Sequence, residues 1–342
     1  MKTISVVSTQ MQLINCVEYL DKKQSPYNIL FITTKSSRRK EQIFEILENQ
    51  CFGKYFQKIK VLSLTGYRII DLLLFFLYFV YIKFFCLFYN INICILGNYR
   101  DFLGRYLYMN LLSSELIVVD DGLATLPIAD GRISEKRKIP FVFYPNRVVQ
   151  FMYRNKTSLI PDKITFFTIY DICVTGLDTK IHNTYAYLKA VSDKMDIPIS
   201  LRQADVIFLG QPLYHNILSY DRYSWYLQQF SKGIGSNIIY YPHPEEKYEN
   251  WKTLNCGDHF KYIENKYSIE ILLCSLKDTA KVISFFSSAI TNVRFINHSL
   301  TPESIYLSEI DYNEPLSYIK LSYNQFEEEG IRVIKYESIQ EV

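Results

Sequence analysis

Two short strings place ionisable side chains where a buried strand should stop. Asp120-Asp121-Gly122 closes the apolar run Leu116-Ile117-Val118-Val119, and His243-Pro244 follows Ile238-Ile239-Tyr240-Tyr241-Pro242. In open α/β sheets, ligands collect beyond the carboxyl ends of strands. A carboxylate pair at one such edge and an imidazole at another supply a base and an acid for group transfer. Successive strand side chains point to opposite faces, so one aspartate faces the site and the other orients the loop. Gly122 permits a tight turn. The same pair also suits a metal ion or a helix cap. Pro244 holds His243 extended. There its imidazole donates to a phosphate oxygen and neutralises a leaving group, or serves only the structure.

Two further sites carry chemistry. Ser287-Ser288 follows the apolar run Lys281–Phe286 and precedes a helix. Two hydroxyls and the backbone N–H groups of a helix start form a phosphate cradle; the plain alternative is an N-cap. Glu270, at the head of Ser268-Ile269-Glu270-Ile271-Leu272-Leu273, can chelate both hydroxyls of a ribose or simply complement the helix dipole. There is no GxGxxG, P-loop, HExxH or GxSxG string, and His182, His215, His259 and His298 lack metal-ligand spacing.

The elements that must position these residues alternate. Thr3–Ser8, Asn28–Thr33, Lys58–Leu64, Asn92–Leu96 and Leu116–Asp120 read as strands. Helices Gln10–Leu20, Arg38–Asn49 and Arg100–Leu112 lie between them, the first capped by Ser8 or Thr9. Such alternation predicts a parallel sheet with helices on both faces. Gly122–Arg137 reads as loop, Phe141–Arg154 as aromatic and irregular or helical, and Thr165–Val174 as one or two strands. The pattern restarts with Asp205–Gly210, the helix Asp221–Phe230, Asn237–Tyr241, a helix around Ser268–Leu276 and Lys281–Phe286. Asp196-Ile197-Pro198 reads as a linker. The expected division is therefore 1–195, 196–320 and a tail 321–342 that packs back on the first domain, with a helix at Asn324–Glu329 and a strand at Ile331–Tyr336.

At 342 residues the chain is comfortable for two cores. Its 49% hydrophobic and 21% charged content is globular. A net charge of +3, without a basic stripe interleaved with aromatics, gives no footprint of nucleic-acid binding. The cluster Lys35–Lys40 reads as a solvated loop. Seven scattered cysteines without a CxxC pair read as reduced thiols, and Met1 leads directly into a strand. The expected location is the cytoplasm.

The stretch Ile69–Leu96 is very apolar. One reading is a buried helix (Ile70–Tyr89) and a core strand, with Asp71, Lys83, Asn90 and Asn92 breaking the run into pieces too short to span a bilayer. The other is a helix whose Phe/Tyr/Leu surface docks peripherally on the inner membrane, with Lys83 near the headgroups.

Taken in order, Asp120-Asp121-Gly122, Leu209-Gly210-Gln211-Pro212, Tyr241-Pro242-His243-Pro244, Ile269-Glu270 and Ser287-Ser288 resemble the bacterial sialyltransferases. Glycosyltransferase families 52, 80 and 38 share an acidic-acidic-Gly motif, an HP motif and a serine motif. The stretch Phe208–Pro212 through Tyr240–Pro244 looks most like family 52, the lipooligosaccharide sialyltransferases. Ser8–Leu13 also looks like that family's Thr-Pro-Leu-Gln start, with Gln10 where proline is usual.

The resemblance implies a GT-B architecture, with two Rossmann-like domains facing a cleft. It implies inverting, metal-independent transfer of sialic acid, or a related nonulosonic acid, from its CMP form to a terminal sugar hydroxyl of a lipooligosaccharide or capsule. Under it, Asp120 or Asp121 holds the general base, while the family 52 branch points instead to Asp221. His243 meets the departing CMP phosphate beside Pro244, and Ser287 and Ser288 hold that phosphate. Glu270 binds the ribose, and Gly210 and Gln211 line the nucleotide. No cofactor is expected; the partners are the CMP-sugar and a glycan acceptor, with a homodimer also in view. The alternatives keep the fold with CMP-Kdo, CMP-pseudaminic or CMP-legionaminic acid or a UDP-hexose, or make the chain a non-catalytic glycan- or nucleotide-binding protein.

Overall fold

A computed structural model describes residues 1–65, 68–111, 114–122, 125–134, 163–195, 197–215, 217–234, 238–254, 259–264, 268–276, 280–311 and 317–336. The chain divides into two units, Met1–Leu188 and Lys189–Val342.

In the first unit the elements are β1 (Lys2–Val7), α1 (Gln10–Lys23), β2 (Tyr27–Ile32), α2 (Ser37–Glu48), α3 (Gln50–Gly53), β3 (Lys58–Val61) and α4 (Arg68–Phe88). They continue as β4 (Ile93–Leu96), α5 (Phe102–Asn110), β5 (Glu115–Val119), α6 (Thr125–Ser134), β6 (Thr165–Thr168) and β7 (Thr179–His182), and α7 (Ala186–Val191) runs across the boundary between the units. The strands lie in the order β3-β2-β1-β4-β5-β6-β7, paired in parallel throughout. Lys2 stands opposite Tyr27 and Thr3 opposite Ile93, which fixes β1 between its neighbours. Strands buried on both faces need apolar runs, and residues 29–32 of β2, all of β4 and residues 116–119 of β5 supply them. Thr9 caps α1 by accepting from the Gln12 N–H.

The second unit repeats the plan: α8 (Ile199–Arg202), β8 (Val206–Leu209), α9 (Tyr220–Lys232), β9 (Ile238–Tyr241), α10 (Tyr248–Thr253), β10 (Phe260–Tyr262) and α11 (Ile269–Ser275) lead to the other half of the sheet. That half holds β11 (Lys281–Ser284), α12 (Ser288–Ile296), β12 (Thr301–Ile305), α13 (Ser317–Glu328) and β13 (Arg332–Ile334). The order β10-β9-β8-β11-β12-β13, again all parallel, is that of a Rossmann sheet. Its core stacks Phe208 between Phe230, Tyr240 and Phe285. The order of the strands reverses between β8 and β11, and that point marks where this fold holds ligands.

Several expectations change. Within the 321–342 tail, as far as it is described, β13 joins the second sheet by pairing with β12, and the Tyr323 hydroxyl bonds Ile305 O and Leu307 N of the same unit. Thr125–Ser134 is helical where a loop was expected, because an Asp-Gly turn ends β5 and Gly122 takes φ +60° there. The Phe141–Arg154 stretch lies outside the described residues. β12, Thr-Pro-Glu-Ser-Ile, does not read as a strand. Its polar groups find tertiary partners: Glu303 pairs with Arg332 at 3.2 Å, and the Ser304 hydroxyl donates to Phe285 O. Pairing with β13 begins only at Glu303, so the missing N–H of Pro302 costs nothing on that side.

α4 departs most. It is one continuous helix, and Ile69–Phe88 is long and apolar enough to cross a membrane; Asp71 and Lys83 do not break it. Nor is it buried all round. Phe79, Ile82 and Phe85 face inward, packing on Phe31, Phe102 and Tyr106, while Leu73 (62% exposed), Phe84 (58%) and Phe88 (80%) face out.

Candidate active site

Parallel packing brings the ends of β9, β8 and β11 to one edge of the second sheet. After β9 the chain turns through His243-Pro244-Glu245-Glu246, closed by Glu246 N donating to His243 O at 2.9 Å. Proline in the second position suits such a turn. Glu246, almost fully buried, accepts from the His243 N–H (Oε2, 2.7 Å) and from the Tyr240 hydroxyl (Oε1, 2.7 Å). The Tyr240 oxygen lies 2.9 Å from that of Tyr223, which in turn accepts from the Gln211 N–H at 3.4 Å. A phenol has one proton to give. Because Tyr240 gives its proton to Glu246, Tyr223 donates to Tyr240. The network therefore runs in one direction, from the Gln211 N–H to the Glu246 carboxylate. Burial raises both phenols far above their usual range, which keeps those protons in place.

The other side of Gln211 reaches β11. Its Oε1 accepts from Phe286 N at 3.1 Å and Ser284 Oγ at 3.2 Å. Ser287 follows and caps α12, its hydroxyl oxygen accepting from Ala289 N at 3.2 Å; its own proton remains to be donated. His243 Nδ1 accepts from the Glu245 N–H at 3.2 Å. A ring nitrogen that accepts carries no proton, so the neutral imidazole bears its hydrogen on Nε2, as a donor. The edge thus holds an imidazole N–H and a serine hydroxyl on either side of the β8 exit, stitched together by buried hydrogen bonds.

On the first sheet, the corresponding edge separates the two aspartates. Asp120 is buried: Oδ2 accepts from Ile169 N at 2.8 Å, and its carbonyl accepts from Asn15 Nδ2. Burial pushes its carboxyl up to about 7, against hydrogen bonds from Thr168, Ile169 and Thr125 that lower it. Asp121 is half-buried, and its Oδ1 accepts from Gln12 Nε2 at 2.6 Å. Gln12 is oriented by Ser8, whose N–H donates to Oε1 at 2.7 Å; an N–H can only donate, so the amide nitrogen must face Asp121. Burial raises the Asp121 carboxyl as well, opposed by the Gln12 bond and by the charges of Arg39 and Arg100.

The sequence-derived residues therefore fall out unevenly. His243, Pro244, Gly210, Gln211, Ser287 and the start of α12 at Ser288 share the edge of the second sheet. Asp120 and Asp121 share the edge of the first. Gly210, however, does not present open backbone: a Cβ there would lie 2.3 Å from Glu246 Oε2 and 2.5 Å from the Tyr240 hydroxyl. Its missing side chain makes room for the network. Glu270 is buried in the first turn of α11, its carboxyl raised by burial and bonded to Ser268 and Asn292. It ties α11 to α12 and is not presented to a ribose in this structure. Asp221 stands exposed in the first turn of α9, capped by Ser219, where negative charge complements the helix end.

Glu246, Tyr240, Tyr223, Gln12, Arg39 and Arg100 carry no role in the sequence reading, although Gln12 lies in the family-like opening. For Glu246 a local signal existed: an acid three residues after an extended histidine-proline, the spacing of a capping bond.

No family model matches the chain, and no curated protein matches it. Among solved structures it is similar to the UDP-GlcNAc 2-epimerase of Methanocaldococcus jannaschii: 12% identity, 98% of this chain and 89% of that one, TM-score 0.52. It is also similar to a putative UDP-N-acetylglucosamine 2-epimerase from Listeria monocytogenes: 12% identity, 96% and 86% covered, TM-score 0.53. A sialyltransferase from Photobacterium damsela aligns over 98% of this chain and 81% of its own, at 12% identity and a TM-score of 0.46. At these identities the epimerase likeness concerns the fold. The chain has the GT-B fold, two Rossmann-like units in one polypeptide.

Proposed function

We propose that this protein is a glycosyltransferase that moves a nonulosonic acid such as sialic acid from its CMP-activated form to a sugar hydroxyl. The observation that carries the reading is the stitched edge of the second sheet. The His243 imidazole and the Ser287 hydroxyl, both groups that can donate a hydrogen bond, flank the strand-order reversal. A departing CMP leaves as a phosphate monoester and needs its charge neutralised more than it needs a proton. Two preorganised donors suit that need, each typically worth roughly 3–4 kcal/mol to the transition state. The residues also follow the order of the sialyltransferase motifs.

In this reading Asp121 takes the proton of the attacking hydroxyl. It is the half-exposed member of the pair, and burial makes it more basic than a free carboxylate. Gln12 positions it, and Asp120 holds the loop through Ile169. Asp221, exposed on α9, is the alternative base.

The test is incubation with several CMP-nonulosonates and a set of UDP-sugars, with and without EDTA, measuring nucleotide release in the presence of glycan acceptors. CMP release that survives EDTA and disappears in His243→Ala, with the circular dichroism spectrum retained, is the expected outcome. Product from UDP-sugars alone, or strict dependence on a divalent metal, overturns the assignment. Undiminished nucleotide release by His243→Ala removes that residue from the chemistry, and nucleotide or glycan binding without any release points instead to a non-catalytic binding protein.

A further inference from the structure

An apolar helix normally hides its apolar stripe against the core and shows water a polar one. α4 has no polar stripe. Ile69, Ile70, Leu73, Phe76, Leu77, Val80, Phe84, Leu87 and Phe88 recur at helical spacing on one exposed face. At 3.6 residues per turn they span an arc of roughly 120° along about 30 Å of helix. Their exposed side-chain surface is on the order of 1,000 Å², larger than the largest apolar patch of an ordinary soluble monomer.

Among the described residues, the exposed charges on this helix and at its carboxyl end are cationic. The acid within the helix, Asp71, is buried and turned inward, its Oδ1 accepting from Thr65 N at 2.6 Å. Lys83 stands exposed among the apolar residues. At the carboxyl end, Lys58 donates to the Tyr89 hydroxyl at 2.8 Å, and the charges that bear on Tyr89 are those of Lys58, Lys60 and Lys2. All three lysines are exposed.

From these features we infer that α4 is a membrane-docking element that lies in the plane of an anionic phospholipid bilayer, its outer face among the acyl chains and its lysines at the headgroups. Lysine stems reach along apolar surface to place their ammonium groups in the polar layer. The helix does not span: Phe79, Ile82 and Phe85 are committed to Phe31, Phe102 and Tyr106. A second copy of the chain is the poorer occupant. A protein interface of this size carries about one hydrogen bond per 100–200 Å², and among the described exposed residues of this face only Lys83 has a hydrogen-bonding side chain. A two-fold contact would also bring like-charged rims together, whereas an anionic surface neutralises them. The inference is independent of the reading of the active site.

The experiment uses the full chain with vesicles of phosphatidylethanolamine and phosphatidylglycerol, and with phosphatidylcholine alone, followed by flotation and light scattering. The expected result is partition onto the anionic vesicles, with at least about tenfold less binding for the double variant Leu77→Glu/Phe84→Glu. Lys58→Glu/Lys60→Glu should lower binding to the anionic vesicles and leave binding to phosphatidylcholine unchanged. Both substituted apolar residues are exposed, so an unchanged melting temperature verifies that the variant is folded; Leu77→Ser/Phe84→Ser replaces it should the charges perturb folding. Absence of the wild-type chain from vesicles overturns the inference, as does undiminished binding by the folded variant. So does a stable dimer in lipid-free solution that the variant converts to monomer, which would assign the face to self-association.

Discussion

Two adjacent aspartates of identical chemistry are set apart by one residue's alternation along a strand. Asp120 turns inward and serves Ile169; Asp121 turns toward Gln12 and stays half-exposed. Substituting them should therefore give different phenotypes. Asp121→Asn should lower turnover by roughly 10²–10⁴ with little change in melting temperature, measured by CMP release and calorimetry. Asp120→Asn should act on stability and its pH dependence. The Asp120 carboxyl rises from 3.8 to about 7 on folding, so across that window the native state keeps a proton that the unfolded chain has lost. Stability from this group is therefore greatest below pH 4, falls as pH rises to about 7 and is flat above. Asp101, raised to about 6, contributes in the same direction. The wild-type melting temperature should fall between pH 5 and pH 8, and that of Asp120→Asn should fall less, since an amide still accepts from Ile169 N without ionising. Equal slopes would remove Asp120 from the account.

At the scale of elements, the exits of β8 and β9 behave as one unit. Gly210 ends the first and Glu246 closes the second, and the space for a Cβ on Gly210 is filled by Glu246 Oε2. Gly210→Ala should displace that carboxylate from the His243 N–H. A stability loss of about 1–3 kcal/mol is expected from overpacking a buried turn, together with slower turnover as His243 loses its fixed position. Denaturant unfolding and steady-state kinetics of the one variant check both. α4 shows the opposite relation: its inner face is committed to the sheet, and its outer face makes no demand on the unit's own fold. Changes there should spare stability and alter where the protein resides.

For the whole molecule, each unit has its own sheet and core. Both tryptophans of the chain, Trp225 and Trp251, belong to the second unit and pack on its aromatic core. Tryptophan emission should therefore report the second unit's unfolding alone, while far-ultraviolet circular dichroism reports both. A nucleotide held at the edge of the second sheet stabilises that unit by mass action, about 2.7 kcal/mol at one hundred times its dissociation constant. CMP should raise the midpoint seen by tryptophan emission, and UMP should raise it less. Equal shifts for the two nucleotides would argue against a cytidine site.

By itself, the sequence determined the alternation of strands and helices, the two-unit plan and the positions of Asp120-Asp121-Gly122, His243-Pro244 and Ser287-Ser288 at strand exits. These features are local: a parallel strand covered on both faces needs a continuous apolar run, and the residues that end the run mark the edge where ligands collect. Tertiary structure alone decided which aspartate faces outward, why Gly210 has no side chain, that Glu270 is enclosed, that Thr-Pro-Glu-Ser-Ile forms a strand and that half of α4 stays exposed. Each of these depends on a partner distant in the chain, such as Gln12, Glu246, Asn292, Arg332 or Phe31. An apolar or acidic residue has the same type wherever it points, and only the packed neighbours determine whether it meets core, hydrogen-bond donor or solvent.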